Sequence, residues 1–255
     1  MSYTLITGAT SGIGYELMKL FARDRNNLVL VARNEDYLKR IKEFYGNKYG
    51  IDIVTIARDL AETEAPRDIF DELQERGIEI ENLVNNAGVG TYGKFHDTDI
   101  EDSLNLIDLN IRSLTYLTRL FLPGMIQKRR GRILNLGSAA SFAPGPYMAT
   151  YYASKAYVMY FSEALHWELK KKGITVTSMN PHSTDTDFPN KAEAPESSIT
   201  RHNQMHAKYV AERGYEALMQ GRRLVVIGGM SKVLAFTPRI MPRAAVVAVS
   251  AVLNK

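Results

Sequence analysis

Tyr151 and Lys155 stand four residues apart in a stretch with helical spacing, so they share one face of a helix, one turn apart. A free phenol ionises near pH 10, too high for efficient proton exchange at neutral pH. A neighbouring ammonium favours the phenolate and draws that pKa toward the range where general acid–base catalysis works. Tyr152 is a decoy by this criterion, because its i+4 neighbour is Ala156. Ser138 ends an apolar run upstream, and its hydroxyl can hydrogen-bond a substrate oxygen. Asn110 lies inside a helical run, where asparagine is a mediocre helix former; alone it reads as a tolerated polar position. A phenol, an ammonium and a hydroxyl of this kind suit proton transfer at a carbonyl or alcohol oxygen.

A second constellation opens the chain. Thr7-Gly8-Ala9-Thr10-Ser11-Gly12-Ile13-Gly14 follows a β-rich run and begins an amphipathic helix. Gly8 permits a tight turn, Gly12 lets backbone approach a pyrophosphate, and Gly14 allows close helix–sheet packing. Exposed amides at the helix start then meet phosphate. The residue at the tip of the second strand selects the nucleotide, since a carboxylate would bind a ribose 2′-hydroxyl and repel a 2′-phosphate. Ala32-Arg33 occupies that tip, and a guanidinium forks onto phosphate, so NADP(H) is expected over NAD(H). Asp59-Leu60 ends the third strand, where Asp59 either accepts from an adenine amino group or caps a helix near Ala61. Asn85-Asn86-Ala87-Gly88 ends the fourth strand with small residues that let backbone lie against the adenosine side.

The elements that must position these groups alternate along the chain. Short β-rich runs recur at 3–7, 28–31, 53–57, 83–85, 132–136, 174–178 and 224–227, with helical spacing between them. One helical stripe is Leu104, Ile107, Ile111, Leu114, Leu117 and Leu120. Such alternation implies one α/β domain: a doubly wound parallel sheet of about seven strands, with helices on both faces. The expected catalytic domain is 1–229, with an apolar and basic extension at 230–255. The polar stretch 182–204 follows a strand end, where ligands bind in open α/β sheets, and is read as a substrate lid.

With 255 residues, 45% hydrophobic and 24% charged, the composition is that of an ordinary globular protein. There is no cysteine, which excludes disulfides, thiolate metal sites and cysteine nucleophiles. No metal site is expected. The net charge of +4 is mild, and Lys128–Arg130 and Lys170–Lys172 sit where helices should end, favourable against the helix dipole. No aromatic platform interleaves them, so no nucleic-acid partner is expected. No secretory leader or membrane-spanning run stands out, and a cytoplasmic location is expected.

Thr7–Gly14, Asn85–Gly88, Asn110, Ser138, Tyr151 and Lys155, in this order and spacing, make the chain resemble the short-chain dehydrogenase/reductase family, in particular its ketoreductase-like members with Val-Ala-Arg after the second strand. The resemblance runs from Thr4 to about Thr186, and more loosely through Ile227. It implies a single-domain Rossmann-like fold and hydride transfer between NADP(H) and a carbonyl or secondary alcohol. It implies Tyr151 as the acid–base group, Lys155 on the nicotinamide ribose and lowering the Tyr151 pKa, Ser138 on the substrate oxygen, and Asn110 anchoring a water that relays protons. The cofactor would lie against Gly8, Thr10, Ser11, Gly12, Ile13, Gly14, Arg33, Asp59, Leu60, Asn86, Ala87 and Gly88. Tyr151, Lys155, Pro181, Thr184 and Thr186 would close its nicotinamide end.

One position departs from the family pattern: His182 stands where a glycine usually follows Pro181. If that position needs positive φ, histidine costs energy and crowds the nicotinamide; the expected outcome is an imidazole turned outward to solvent, because histidine tolerates positive φ better than most residues. Thr91, Tyr92, Phe95, Phe142, Tyr147, Met148 and Phe188 are the candidate pocket walls, and they suggest a medium or large apolar substrate. The tail after Gly229 is expected to pack on the domain or a sister subunit, with a membrane surface as the alternative. The helical regions 99–129 and 150–171 suit a homodimer or homotetramer. A non-catalytic NADP(H)-binding sensor is the rival function, although a sensor would be expected to lose Tyr151 or Lys155. A methyltransferase leaves Tyr151, Lys155 and Arg33 unexplained.

Overall fold

The computed structural model describes residues 2–186 and 204–255. In chain order the elements are β1 (Ser2–Thr7), α1 (Gly12–Arg23), β2 (Asn27–Ala32), α2 (Glu35–Tyr49), β3 (Ile53–Ala57), α3 (Ala65–Glu75) and β4 (Glu79–Asn85). Then follow α4 (Ile100–Ile107), a π turn (Asp108–Ser113), α5 (Leu114–Lys128), β5 (Gly131–Leu136), α6 (Ala149–Leu169) and β6 (Ile174–Pro181). The chain continues through β7 (Thr184–Asp185), β8 (Met205–His206), α7 (Ala207–Met219), β9 (Leu224–Ile227), α8 (Gly229–Phe236) and α9 (Arg243–Leu253).

Seven strands form one parallel sheet in the order β3-β2-β1-β4-β5-β6-β9, and β7 pairs with β8 in a two-stranded ribbon. All seven expected strands are present, and the sheet is the doubly wound one that the alternation implied. Its strands are apolar on both faces, as a parallel sheet covered by helices on each side requires. On one face Ile6, Leu28, Leu30 and Met179 pack with Leu17 and Phe21 of α1, Leu38 of α2 and Leu218 of α7. On the other, Leu5, Val29, Val31 and Val176 pack with Ile69 of α3, Phe121 of α5 and Leu169 of α6. Adjacent residues of one strand thus serve opposite layers.

The order reverses between β1 and β4, which opens a crevice at the carboxyl ends of the strands. One expected helix is not continuous. The stripe from Leu104 to Leu120 is interrupted by the π turn at Asp108–Ser113, which carries Asn110 inward to 1% exposure. Such a bulge recurs at functional sites. The basic clusters end helices as expected: Arg129 is the left-handed C-cap of α5, and Lys170–Lys172 form the last turn after α6. Among the described residues no helix is long and apolar enough to cross a membrane.

Candidate active site

The crevice is a cleft of ≈ 420 Å³. At its β1 end Gly8 and Gly12 take φ of +66° and +52°, a region where a side chain is strained. A Cβ on Gly14 would collide with the Gly8 carbonyl, so the helix lies directly on the loop. α1 begins without a side-chain cap or an acid in its first turn, leaving its amides and positive dipole end facing the cleft. Thr7 and Asn86 hold the loop from below. Thr7 Oγ1 accepts from the Asn86 and Ala87 amides at 2.9 and 3.0 Å, and Asn86 Nδ2 donates to the Thr7 and Gly8 carbonyls at 2.9 and 3.2 Å. Asn86 is therefore a clamp as well as a wall, and Thr7 its unforeseen partner.

Arg33 lines the far end of the cleft and stands 3.5 Å from Asp59, with its side chain 68% exposed. So long and open a pair contributes little, and the guanidinium stays available to phosphate. Asp59 lines the cleft, and its Oδ1 accepts from the Ala61 amide at 3.0 Å, which closes a local turn and not a helix start. The helix it was expected to start begins only at Ala65, because 60–64 forms turns. Arg58 is a cationic wall that sequence reasoning missed. Ala32 and Ala57 are register partners on β2 and β3, so Arg33 and Arg58 follow each other at adjacent strand tips; only the register reveals the pair.

In the middle of the cleft the expected residues converge. Ser138 leaves β5 and caps a short turn, with its Oγ accepting from Ala140 at 3.1 Å and its amide held by Asn180 Oδ1 at 3.2 Å. Its hydroxyl is a hydrogen-bonding partner of the Tyr151 phenol that acts to lower the phenol's pKa. Burial outweighs this and pushes Tyr151 up to about 12. Lys155 is 4% exposed, lies 5.8 Å from the Tyr151 ring centre and donates from Nζ to the Leu136 carbonyl at 2.9 Å. The expected lowering of Tyr151 by Lys155 is not what the geometry produces, because burial prevails at the phenol. Burial disfavours the ammonium itself, to about 8, and the ammonium is turned to a backbone carbonyl. Asn110 is also committed. Its Nδ2 donates to Val89 O at 2.9 Å and to Ser154 Oγ at 3.1 Å, and its Oδ1 accepts from the Val89 amide at 3.0 Å. The side-chain amide thus braces the β4 loop against α6.

Leu60, Ala87, Gly88, Pro181, Thr184, Thr186 and the loop residues Thr10, Ser11 and Ile13 all line the cleft. Thr184 Oγ1 donates to the His182 carbonyl at 2.9 Å. His182 corrects the expectation made for it. β6 and β9 stay paired through Pro181 and Ile227, and the His182 amide continues that ladder to Ile227 O at 3.3 Å. The backbone is not in the positive-φ region, so the feared strain is absent. The imidazole is half-buried on the cleft wall, where burial lowers its pKa, and is not turned outward.

Of the candidate substrate walls, Tyr92 and Met148 line the cleft. Phe95 is 61% exposed, and Tyr147 stacks behind Tyr92 with ring centres 6.4 Å apart. Thr91 and Phe142 are not on the wall, and Phe188 and most of the expected lid (187–203) lie outside the described residues. The missing wall comes from the tail. Met230, Leu234, Ser250, Leu253 and Asn254 face the cleft. Tyr152, the decoy, donates from its hydroxyl to Asn254 Oδ1 at 2.9 Å, and Asn254 Nδ2 donates to Pro146 O at 2.9 Å. The extension is therefore part of the site. Its one sequence signal was Ser250, the polar interruption in an apolar run. No group of His, Asp and Glu among the described residues is arranged to hold a metal ion.

Residues 2–197 match the family model described as short chain dehydrogenase. The very-long-chain 3-oxoacyl-CoA reductase of Anas platyrhynchos is 38% identical over 191 residues, 72% of this chain and 60% of its own length. The chain thus spans about 60% of the length of that relative. Among solved structures, a short-chain dehydrogenase from Sphingobium yanoikuyae in complex with NADPH is 30% identical, with a TM-score of 0.82 over 89% of this chain and 87% of that one. The bulky-bulky ketone specific alcohol dehydrogenase from Comamonas testosteroni is 26% identical, with a TM-score of 0.79 over 96% of both chains. Sheet order, glycine loop and these matches agree, and the chain belongs to the short-chain dehydrogenase/reductase family of oxidoreductases.

Proposed function

We propose that this protein reduces a medium or large apolar ketone with NADPH, with Tyr151 as the general acid. The observation that carries this reading is the convergence of Ser138, Tyr151 and Lys155 in one cleft with the glycine loop and Arg33. The cleft fits a dinucleotide. The positive-φ glycines leave room for a pyrophosphate at the start of α1, and two guanidiniums at the strand tips suit a 2′-phosphate. Gly8, Gly12, Ile13, Arg33, Arg58 and Lys155 would hold it. When bound, it supplies hydride from nicotinamide C4.

The chain's own part is proton and charge management. Tyr151 carries its proton at neutral pH, as an acid for a carbonyl oxygen must, but burial raises its pKa to about 12 and makes it a weaker acid until a cation comes close to the phenol oxygen. The Ser138 hydroxyl donates to the same oxygen and orients it. Lys155, whose Nζ donates to the Leu136 carbonyl, would help hold the ribose hydroxyls of a bound cofactor and could then reach the phenol oxygen. An ammonium beside the phenol oxygen would lower the phenol's pKa and stabilise the phenolate left when the proton passes to the substrate oxygen. The apolar wall of Leu109, Met148, Met230, Leu234 and Leu253 supports a substrate with a large hydrocarbon portion, of the kind named for the 3-oxoacyl-CoA and bulky-ketone relatives.

The test is NADPH oxidation against a panel running from short ketones to long-chain 3-oxoacyl thioesters, with Tyr151→Phe as control. Turnover rising with chain length and absent in the variant is the expected result. Tight NADPH binding with no turnover of any member would favour the sensor. A homodimer or homotetramer is part of the same reading: Ile100, Leu104 and Ile107 on α4 and Tyr157, Tyr160 and Trp167 on α6 leave exposed apolar faces for a second copy.

A further inference from the structure

Helices α8 and α9 are built inside out. A surface helix ordinarily turns apolar residues to the core and polar ones to solvent. In α9 the buried positions are Val246 and Ser250, followed by Asn254 just past the helix end, whereas Ala244, Ala248, Val249 and Val252 face out. Between Arg243 and Lys255 no exposed residue carries a polar side chain. α8 repeats the inversion. Ser231 is fully buried, while Met230, Val233 and Phe236 stand out, followed by Ile240 at 69% exposure. The turn at Thr237–Arg239 packs against both helices, so the two outward faces belong to one folded segment.

Its charge is equally one-sided. After Glu216 the chain has no acidic residue, yet it carries Arg222, Arg223, Lys232, Arg239, Arg243 and Lys255. Lys232, Arg239 and Arg243 are exposed on the same segment, and Lys255, also exposed, lies with its Nζ 6.0 Å from the Tyr147 ring centre. None of the four pairs with a carboxylate among the described residues. A two-fold contact between copies would set this patch against itself, cation facing cation with no acid to pair. An anionic lipid surface satisfies both halves of the pattern: phosphates meet the cations, and Val233, Phe236, Val249 and Val252 enter the acyl boundary.

We propose that the outward face of α8 and α9 docks the protein on an anionic lipid bilayer. The same segment presents Met230, Leu234 and Leu253 to the cleft, so docking sets the substrate side of the cleft beside the lipid. The inference does not depend on which ketone is reduced.

Co-sedimentation of the whole chain with vesicles of phosphatidylcholine, alone or mixed with phosphatidylglycerol, tests it. Binding to the mixed vesicles is expected, weakened by salt. Lys232→Ala/Arg239→Ala/Arg243→Ala should lower it on the order of a hundredfold, from roughly fivefold per cation near the surface. Val249→Glu/Val252→Glu should lower it about tenfold or more, because it places charge where apolar contact is needed. All five positions are exposed, so melting followed by circular dichroism should match the parent, and Val249→Ser/Val252→Ser serves as a milder pair. Absence of vesicle binding by the parent chain overturns the proposal, as does equal binding to neutral vesicles. Parent oligomers dissolved by Val249→Glu/Val252→Glu in ultracentrifugation would overturn it in favour of a second copy.

Discussion

On the β1–β4 side of the cleft, Thr7, Gly8, Asn86 and Ala87 are tied into a polar clamp at the tips of neighbouring strands, with hydrogen bonds of 2.9 to 3.2 Å. On the other side the wall depends on Tyr152 and Asn254, which meet across 102 residues of sequence, and on two helices whose outward faces are apolar. The first side consists of backbone and buried donors, where a lost partner leaves a polar group stranded. The second consists of interchangeable apolar side chains and one hydrogen-bonded latch. A site divided in this way keeps one cofactor geometry while its substrate wall varies, since large apolar walls tolerate exchange better than saturated polar networks.

Tyr151 belongs to neither side alone and should give the largest effect. Tyr151→Phe should lower turnover by about 10² to 10⁴, the usual span of general acid–base catalysis, while NADPH affinity measured by fluorescence stays unchanged. A residual rate near the parent's would remove the phenol from the mechanism.

Lys155→Met should lower turnover less than Tyr151→Phe does and yet stabilise the protein measured without NADPH, by roughly 2–3 kcal/mol at pH 7. The sign follows from burial. The folded-state pKa is depressed from 10.5 to about 8, so the unfolded chain binds more protons between these values. Stability of the parent therefore rises as pH increases from about 8 to 10.5, and the gap between the two proteins should close over that window. Thermal melts across this range measure it; a gap independent of pH would show that the ammonium is not desolvated as described.

Arg33→Ala should raise KM for NADPH about tenfold or more and leave NADH nearly untouched, with Arg58→Ala somewhat smaller in the same direction. Equal effects on both cofactors would place the guanidiniums away from the 2′-phosphate. Smallest is the latch. Tyr152→Phe should cost about 0.5–1.5 kcal/mol of stability and raise KM for a bulky ketone without changing NADPH affinity. A change in NADPH affinity instead would join the two sides of the cleft that the geometry separates.

Much of the cleft was legible because its parts are local. Gly8, Gly12 and Gly14 need only the strand before them and the helix after them, and Tyr151 and Lys155 need only one helical turn. Asn110 was legible as a position but not as a brace, since the π turn that buries it depends on Val89 and Ser154 meeting it in space. Arg58 looked like any surface arginine until the β2–β3 register set it beside Arg33. His182 was misjudged because the departure from glycine suggested a left-handed backbone, whereas the pairing with β9 keeps the strand extended.

The tail shows the same division. Its apolar and basic composition was plain, but composition does not say which face of a helix turns inward. The sequence alone determined the alternation of strands and helices, the phosphate-binding loop and the order of Ser138, Tyr151 and Lys155, because each rests on spacing within a turn, a strand or a loop. Only the tertiary structure decided that Asn254 latches onto Tyr152, that Lys155 is desolvated against Leu136, and that Ser250 and Asn254 face the cleft while Val233, Val249 and Val252 face out. These depend on contacts between distant segments, and side-chain burial is settled by what packs against it, not by its neighbours in sequence.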